Sequence, residues 1–265
     1  MPNIKVCVLR TAGTNCDKET AFAFSKVGGV SELVHINSLI RDIRKLADYQ
    51  ILAIPGGFSY GDDIAAGKIL ANELKNKLTQ DLKNFISAGK LIIGICNGFQ
   101  ILVKSGLLPG NVKLKQEASL ILNDSAKFED RWVYLKNSKF KIQNSKCIWA
   151  KNLPEIIYLP VAHGEGKFLT EDKQVLDRLK RNGQIVFQYC DEGGRLAKYP
   201  YNPNGSMESI AGISDDTGRI LGLMPHPERH IAFWQHPRWT AAKVKKEGDG
   251  LQIFKNGVEY AKKHF

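Results

Sequence analysis

Apolar runs alternate with stretches of helical period through the first hundred residues of the chain. Ile4–Leu9 is almost wholly apolar, the pattern of a strand covered on both faces. Lys18–Val27 then places Ala21, Phe22, Phe24 and Val27 at helical spacing, and Gly28-Gly29 reads as the helix stop. Val30–Ile36 predicts a second strand and Leu39-Ile40 the start of a connector. Tyr49–Ile54 predicts a third strand that ends at Pro55-Gly56-Gly57. Ile64–Phe85 predicts a long helical region, in one or two pieces. It leads through Ala88-Gly89-Lys90 to the apolar run Leu91-Ile92-Ile93. This alternation predicts an α/β protein on a doubly wound, mostly parallel sheet.

Beyond Gly106-Leu107-Leu108-Pro109-Gly110 the period changes. Ser119–Leu122, Trp132–Leu135 and Lys139–Ile142 alternate over short stretches and predict a small antiparallel flank. Ile156–Pro160 leads into Val161–Phe168, followed by a helix over Glu171–Arg181 and a strand over Ile185–Tyr189. Asn202-Pro203-Asn204-Gly205-Ser206 is a turn cluster. Ile210–Ile213 and Arg219–Leu223 predict a hairpin around Asp215-Asp216-Thr217-Gly218. From about residue 230 an extended tail ends in an amphipathic helix with Leu251, Phe254, Val258, Tyr260 and Ala261. A single domain over residues 1–265 is expected.

Composition narrows the class. With 265 residues, 43% of them hydrophobic, the chain can bury a full core. No window is apolar for long enough to span a bilayer, and Met1–Val6 lacks the shape of a signal peptide. A cytoplasmic protein with no membrane partner is expected. The charge, 38 − 27 = +11, is distinctly basic. Yet Lys and Arg are dispersed, with mild clusters at Lys136–Lys151 and Lys243–Lys246 and no groove-reading motif. A solvated surface, open to an acidic protein partner, therefore fits better than a nucleic-acid role. The five cysteines show no CxxC and no His at ligand spacing, so neither a zinc site nor a disulfide framework is expected.

Cys96 is the exception among those cysteines. Leu91-Ile92-Ile93 turns through Gly94-Ile95-Cys96-Asn97-Gly98 into the helical stretch Phe99–Val103, the cysteine version of a nucleophile elbow. Small residues two places on either side let the backbone fold tightly enough to expose the sulfur at the sheet edge. The helix N-terminus behind it favours the thiolate. Asn97 would offer its backbone N–H to an oxyanion. Cys7 lies in a core strand, and Cys16, Cys147 and Cys190 lack such a setting.

Two further stretches carry chemistry. Gly56 and Gly57, at the carboxyl end of the third strand, can expose backbone N–H groups to an anion. Pro225-His226-Pro227-Glu228 holds a histidine between prolines in an extended shape. Residues two apart in such a segment point the same way, which suits a base oriented by a carboxylate. His163 and Glu165, between glycines, are open to three readings: a metal site, a catalytic pair or a substrate-lining loop. The metal reading lacks a second close ligand.

Together, Pro55-Gly56-Gly57, Gly94-Ile95-Cys96-Asn97-Gly98-Phe99-Gln100 and Pro225-His226-Pro227-Glu228 resemble, in order, the signature of the class I (triad) glutamine amidotransferases. Their fold is flavodoxin-like. Within that class the chain is similar to the glutaminase subunits of phosphoribosylformylglycinamidine synthase. The stretches that carry this are Gly13–Asp17, Gly56–Asp62, Cys96–Gln100, Ala162–Gly166, Asn202–Ser206 and Met224–Arg229. Asp63 and an insertion at His230–Gly250 depart from that pattern.

The resemblance implies L-glutamine as substrate and Cys96, His226 and Glu228 as catalytic residues. Gly56, Gly57, Phe58 and Asn97 would surround the oxyanion, with Gly57 or Phe58 and Asn97 donating. Gln100 would position substrate, and His163 and Glu165 would line the pocket or an interface. It also implies a large synthetase subunit, a small bridging subunit, and ATP with magnesium on the synthetase. This chain carries no Walker-type or magnesium-binding motif and is expected to hold no cofactor or metal. The alternatives are the glutaminase of another synthetase (guanylate, carbamoyl phosphate or anthranilate), a stand-alone cysteine hydrolase, and a non-catalytic regulatory subunit. Ala162–Gly166 and Asn202–Ser206 favour the purine enzyme.

Overall fold

The computed structural model describes residues 3–110, 114–138, 146–241 and 246–265. Chain order begins β1 (Ile4–Arg10), α1 (Asp17–Lys26), β2 (Gly29–His35), α2 (Ile36–Ile40), β3 (Ile51–Ile54), α3 (Lys68–Lys77), α4 (Thr79–Ser87), β4 (Leu91–Ile95) and α5 (Asn97–Lys104). It continues through β5 (Ala118–Leu122), β6 (Glu129–Asn137), β7 (Ile156–His163), β8 (Glu165–Thr170), α6 (Lys173–Arg181), β9 (Ile185–Cys190), β10 (Ile210–Ser214), β11 (Ile220–Leu223) and α7 (Leu251–His264).

The main sheet runs β2-β1-β3-β4-β11-β10-β9-β6-β7. Its first five strands are mutually parallel. β3 and β4 are buried at every position, the reason their sequences are unbroken apolar runs rather than alternating ones. Phe24 of α1 meets Phe254 of α7 edge-on at 4.9 Å, which locks the C-terminal helix against the first one. No helix among the described residues is long and apolar enough to cross a membrane.

The expected small antiparallel flank is present as the two-stranded β5–β8 ribbon, and the main sheet itself continues past β11 into antiparallel strands. β10, β9, β6 and β7 extend the main sheet by four antiparallel strands, while β5 and β8 form a separate two-stranded ribbon. Phe99 of α5 stacks on Phe168 of β8 at 6.2 Å and seats that ribbon on the elbow helix. Strand pairing with distant partners decided this, and short alternating stretches do not reveal their partners. The Lys139–Ile142 stretch lies outside the described residues. Within Val161–Phe168, β7 runs to His163, the chain turns at Gly164, and β8 starts at Glu165.

Smaller differences have local causes. Only Gly28 is the stop of α1, with φ +84°, and Gly29 is already in β2. α6 starts at Lys173 because Asp172 caps it, its carboxylate accepting from the Val175 N–H at 2.9 Å. The outer edge of β7 is covered by the chain after β11. The His226 N–H donates to the Pro160 carbonyl (2.8 Å), His230 Nδ1 donates to the Tyr158 carbonyl (2.7 Å), and Asp249 accepts from the Tyr158 N–H (2.9 Å). An otherwise unpaired sheet edge is thereby closed.

Candidate active site

β4 delivers Cys96 to a turn with φ +51° and ψ −106°, a conformation that side-chain-bearing residues rarely adopt. The elbow glycines make it possible. A Cβ on Gly94 would stand 2.5 Å from the Gly98 carbonyl oxygen, and one on Gly98 would stand 1.9 Å from that of Ile54. Neither position has room for a side chain. The Cys96 sulfur is nearly buried, 3.8 Å from the Ala162 carbonyl oxygen.

His226 follows β11, the strand next to β4, and Glu228 meets it: Nδ1 and Oε1 are 2.6 Å apart, with both side chains fully buried. The segment is not extended throughout. His226 is extended, but Pro227–Arg229 is a 3-10 turn that brings the carboxylate round to the ring. Burial works against a charged imidazole here. The Glu228 carboxylate and the Cys96 sulfur outweigh it and raise the His226 pKa well above the ordinary value.

Gly56 is where the chemistry converges. A Cβ there would be 2.8 Å from His226 Cε1, 3.1 Å from Cys16 Sγ and 3.4 Å from Cys96 Cβ. Gly57 has φ +137°, and its N–H finds no acceptor among the described residues. Neither does the N–H of Asn97 at the start of α5. The Phe58 N–H donates to the Gly13 carbonyl at 2.9 Å, so Phe58 is not an available oxyanion donor.

Asn97 and Gln100 are tied into a polar network. The Asn97 amide nitrogen donates to Gln100 Oε1 (2.9 Å) and Asp62 Oδ1 (3.2 Å), and its oxygen accepts from the Ser59 N–H (3.2 Å). Gln100 Nε2 donates to the Glu165 backbone carbonyl at 2.6 Å, which fixes the elbow helix to β8. The Glu165 carboxylate lies 3.9 Å from Lys104 Nζ. His163 is buried between two amides: Nδ1 donates to Asn123 Oδ1 (3.2 Å) and Nε2 accepts from Asn204 (3.5 Å). Burial, helped by the nearby His226 charge, pushes its pKa down to about 3. His163 is therefore a neutral fixture and not a base for catalysis near neutral pH.

Gly57, Phe58, Cys96, Gln100, His163 and Glu165 all line one pocket of about 260 Å³, together with Asp62 and Ala162. Among the described residues only Cys16, His226 and Glu228 form a metal-capable group, with ligand atoms within 4.8 Å of one another. His226 Nδ1 and Glu228 Oε1, at 2.6 Å, are closer than the roughly 3.4 Å that two N and O donors take around a tetrahedral zinc. That spacing is a hydrogen bond, and it does not fit a metal site.

A nucleophile elbow, a buried imidazole–carboxylate pair and a glycine loop thus meet at one sheet edge. Residues 3–261 match the CobB/CobQ-like glutamine amidotransferase domain. The phosphoribosylformylglycinamidine synthase subunit PurQ of Dehalococcoides mccartyi is 49% identical, over 99% of each chain. That of Archaeoglobus fulgidus is 44% identical, over 98% of each. The chain belongs to the PurQ family of glutamine amidotransferases. A solved PurLQS structure from Thermotoga maritima superposes with a TM-score of 0.73 at 30% identity, over 98% of this chain and 99% of that one. A glutamine amidotransferase from the same organism, at 16% identity, a TM-score of 0.52, and 90% and 81% coverage, shares the fold.

The structure also brings to the site residues that the sequence pattern alone does not place there. Cys16 stands beside His226, with Sγ 4.0 Å from Nδ1. Asn123 and Asn204 hold His163. The signal for Cys16 and Asn204 was present: both lie in the stretches Gly13–Asp17 and Asn202–Ser206 that carried the resemblance. Asn123 directly follows β5, where nothing in the local pattern marks it.

Proposed function

We propose that the chain hydrolyses L-glutamine to glutamate and ammonia through Cys96, His226 and Glu228, as the glutaminase subunit of phosphoribosylformylglycinamidine synthase. The observation that carries the reading is the convergence of Cys96, its elbow and the His226–Glu228 pair on the Gly56 backbone. The Cys96 thiolate attacks the side-chain amide carbon, and the carbonyl oxygen becomes an oxyanion facing the open N–H groups of Gly57 and Asn97. As the C–N bond breaks, His226 gives its proton to the departing nitrogen, leaving ammonia and a γ-glutamyl thioester. His226 then takes a proton from water, whose oxygen attacks the thioester and restores the thiolate. Glu228 holds the ring and stabilises its charged form. Gln100 acts mainly through Asn97 and the Glu165 carbonyl, by shaping the pocket.

Ammonia is used on a partner. Exposed apolar side chains, Phe58, Leu122 and Phe128, surround the pocket and suit a protein cover. In this reading a large synthetase subunit and a small bridging subunit complete the complex. ATP and magnesium act on the synthetase, which converts formylglycinamide ribonucleotide to its amidine, and the assembly is cytoplasmic. The test is glutamate release with and without the synthetase, nucleotide and acceptor. Release that is indifferent to all three would instead mark a stand-alone hydrolase.

A further inference from the structure

Glu228 is held to His226 by one oxygen only. Its Oε2 is buried and has no hydrogen-bond partner among the described residues, so direct bonds do not fix the carboxylate from behind. The segment is tied to β7 through the His226 N–H and His230, and to α1 through the residue after Glu228. The Arg229 guanidinium reaches across to α1, donating to Glu19 Oε1 through Nε (3.1 Å) and through a terminal nitrogen (3.0 Å). The same nitrogen donates to Cys16 Sγ at 3.2 Å.

Cys16 occupies the N-cap position of α1, where Ser, Thr, Asp or Asn is usual, yet its side chain caps nothing. Its sulfur is directed instead between Arg229 and the imidazole, 4.0 Å from Nδ1, and packs against Gly56 on the same side. Burial raises the thiol pKa, so the group stays neutral and serves as packing and as an acceptor for Arg229. None of Cys16, Glu19 and Arg229 lines the substrate pocket.

We infer that Cys16, Glu19 and Arg229 form a clamp of positioning residues that holds the Glu228–His226 pair in register with Cys96. The inference rests on the catalytic roles proposed above. Arg229 bridges two anchors on α1, so the turn that presents Glu228 cannot swing without breaking the ion pair. The Cys16 sulfur blocks the imidazole from tilting out of line. A misplacement of about 1 Å in such a constellation costs on the order of a hundredfold in rate.

The experiment measures glutamine hydrolysis by the assembled complex for Arg229→Gln, Arg229→Lys, Glu19→Gln, Cys16→Ala and Cys16→Ser, beside Glu228→Gln and His226→Ala. Arg229→Gln and Cys16→Ala should lower kcat about tenfold or more with KM nearly unchanged, because substrate never touches them. Arg229→Lys should recover part of that loss, since it keeps the charge on Glu19. Cys16→Ser should recover less, since the shorter C–O bond withdraws the atom from the ring. The rate at which a glutamine-like electrophile labels Cys96 should fall in parallel. Unchanged kcat in the clamp variants, with Glu228→Gln and His226→Ala still impaired, overturns the clamp alone. Full activity in Glu228→Gln and His226→Ala overturns the catalytic assignment beneath it. A loss confined to KM, or one matched by a fall in complex assembly, makes the three residues merely structural and also rejects the clamp.

Discussion

Gly98 lies so close to the end of β3 that a Cβ in its place would stand 1.9 Å from the carbonyl oxygen of Ile54. The elbow helix can start where it does only because that position has no side chain. Gly98→Ala must therefore shift α5 or β3. Overpacking of this kind costs about 1–3 kcal/mol, and more where backbone is the obstacle. The expected outcome is a melting temperature several degrees lower with glutaminase activity lost, measured by thermal unfolding and glutamate release.

A glutamine-like electrophile should label Cys96 and leave the other four cysteines unmodified. Burial raises the Cys7 and Cys16 thiols and pushes that of Cys190 up to about 11, so all three stay protonated at neutral pH. Cys147 is buried and lines no part of the pocket. Peptide mapping after reaction decides the matter, and label found chiefly on Cys16 would move the nucleophile to α1.

Glu228→Gln should lower turnover less than His226→Ala. The first leaves the ring in place and removes its charge partner; the second removes proton transfer altogether, worth roughly 10²–10⁴-fold. Steady-state rates of both folded variants supply the comparison, and a reversed order would exchange the two roles.

Cys96→Ser in the assembled complex should abolish synthesis from glutamine and leave synthesis from high external ammonium nearly intact. One sulfur becomes one oxygen, so packing barely changes, while the hydroxyl's high pKa removes the ready nucleophile. Product formation is measured with glutamine, then with ammonium at raised pH. Loss of both activities in an intact complex would tie Cys96 to the synthetase step.

His163 gives a pH prediction of definite sign. Its folded pKa of about 3 lies below the ordinary value near 6.5, so folding excludes a proton that the unfolded chain accepts. This contribution is complete above pH 6.5. It is lost by about 1.4 kcal/mol per pH unit as the pH falls from there toward 3. Urea midpoints at pH 7 and pH 5 should therefore drop more for the native chain than for His163→Gln. An equal drop would show that the ring is not held neutral.

The parallel half of the sheet was legible because its strands are buried on both faces and leave unbroken apolar runs such as Leu91–Ile95. The antiparallel half was legible as strands, including the β10–β11 hairpin, but not in its wider pairing. β6 pairs with both β7 and β9, and nothing in Trp132–Leu135 says which residues lie opposite. Cys96, His226 and Glu228 stood out because tight turns and paired prolines leave sequence marks. Cys16 stood out less, because its partners His226 and Arg229 lie in the turn after β11, some 210 residues away. Phe58 showed the limit of motif reading: adjacent N–H groups look alike in a sequence, and only the Gly13 carbonyl distinguishes them.

Because β3, β4 and β11 are adjacent and parallel, the glycine loop, the nucleophile and the base each emerge from neighbouring strand ends. Their spacing is set by the roughly 4.8 Å repeat between hydrogen-bonded strands, a length that no loop can alter. Elements that touch neither those strand ends nor the pocket, such as α6, can lengthen or meet new partners without retuning the distances at which the chemistry runs.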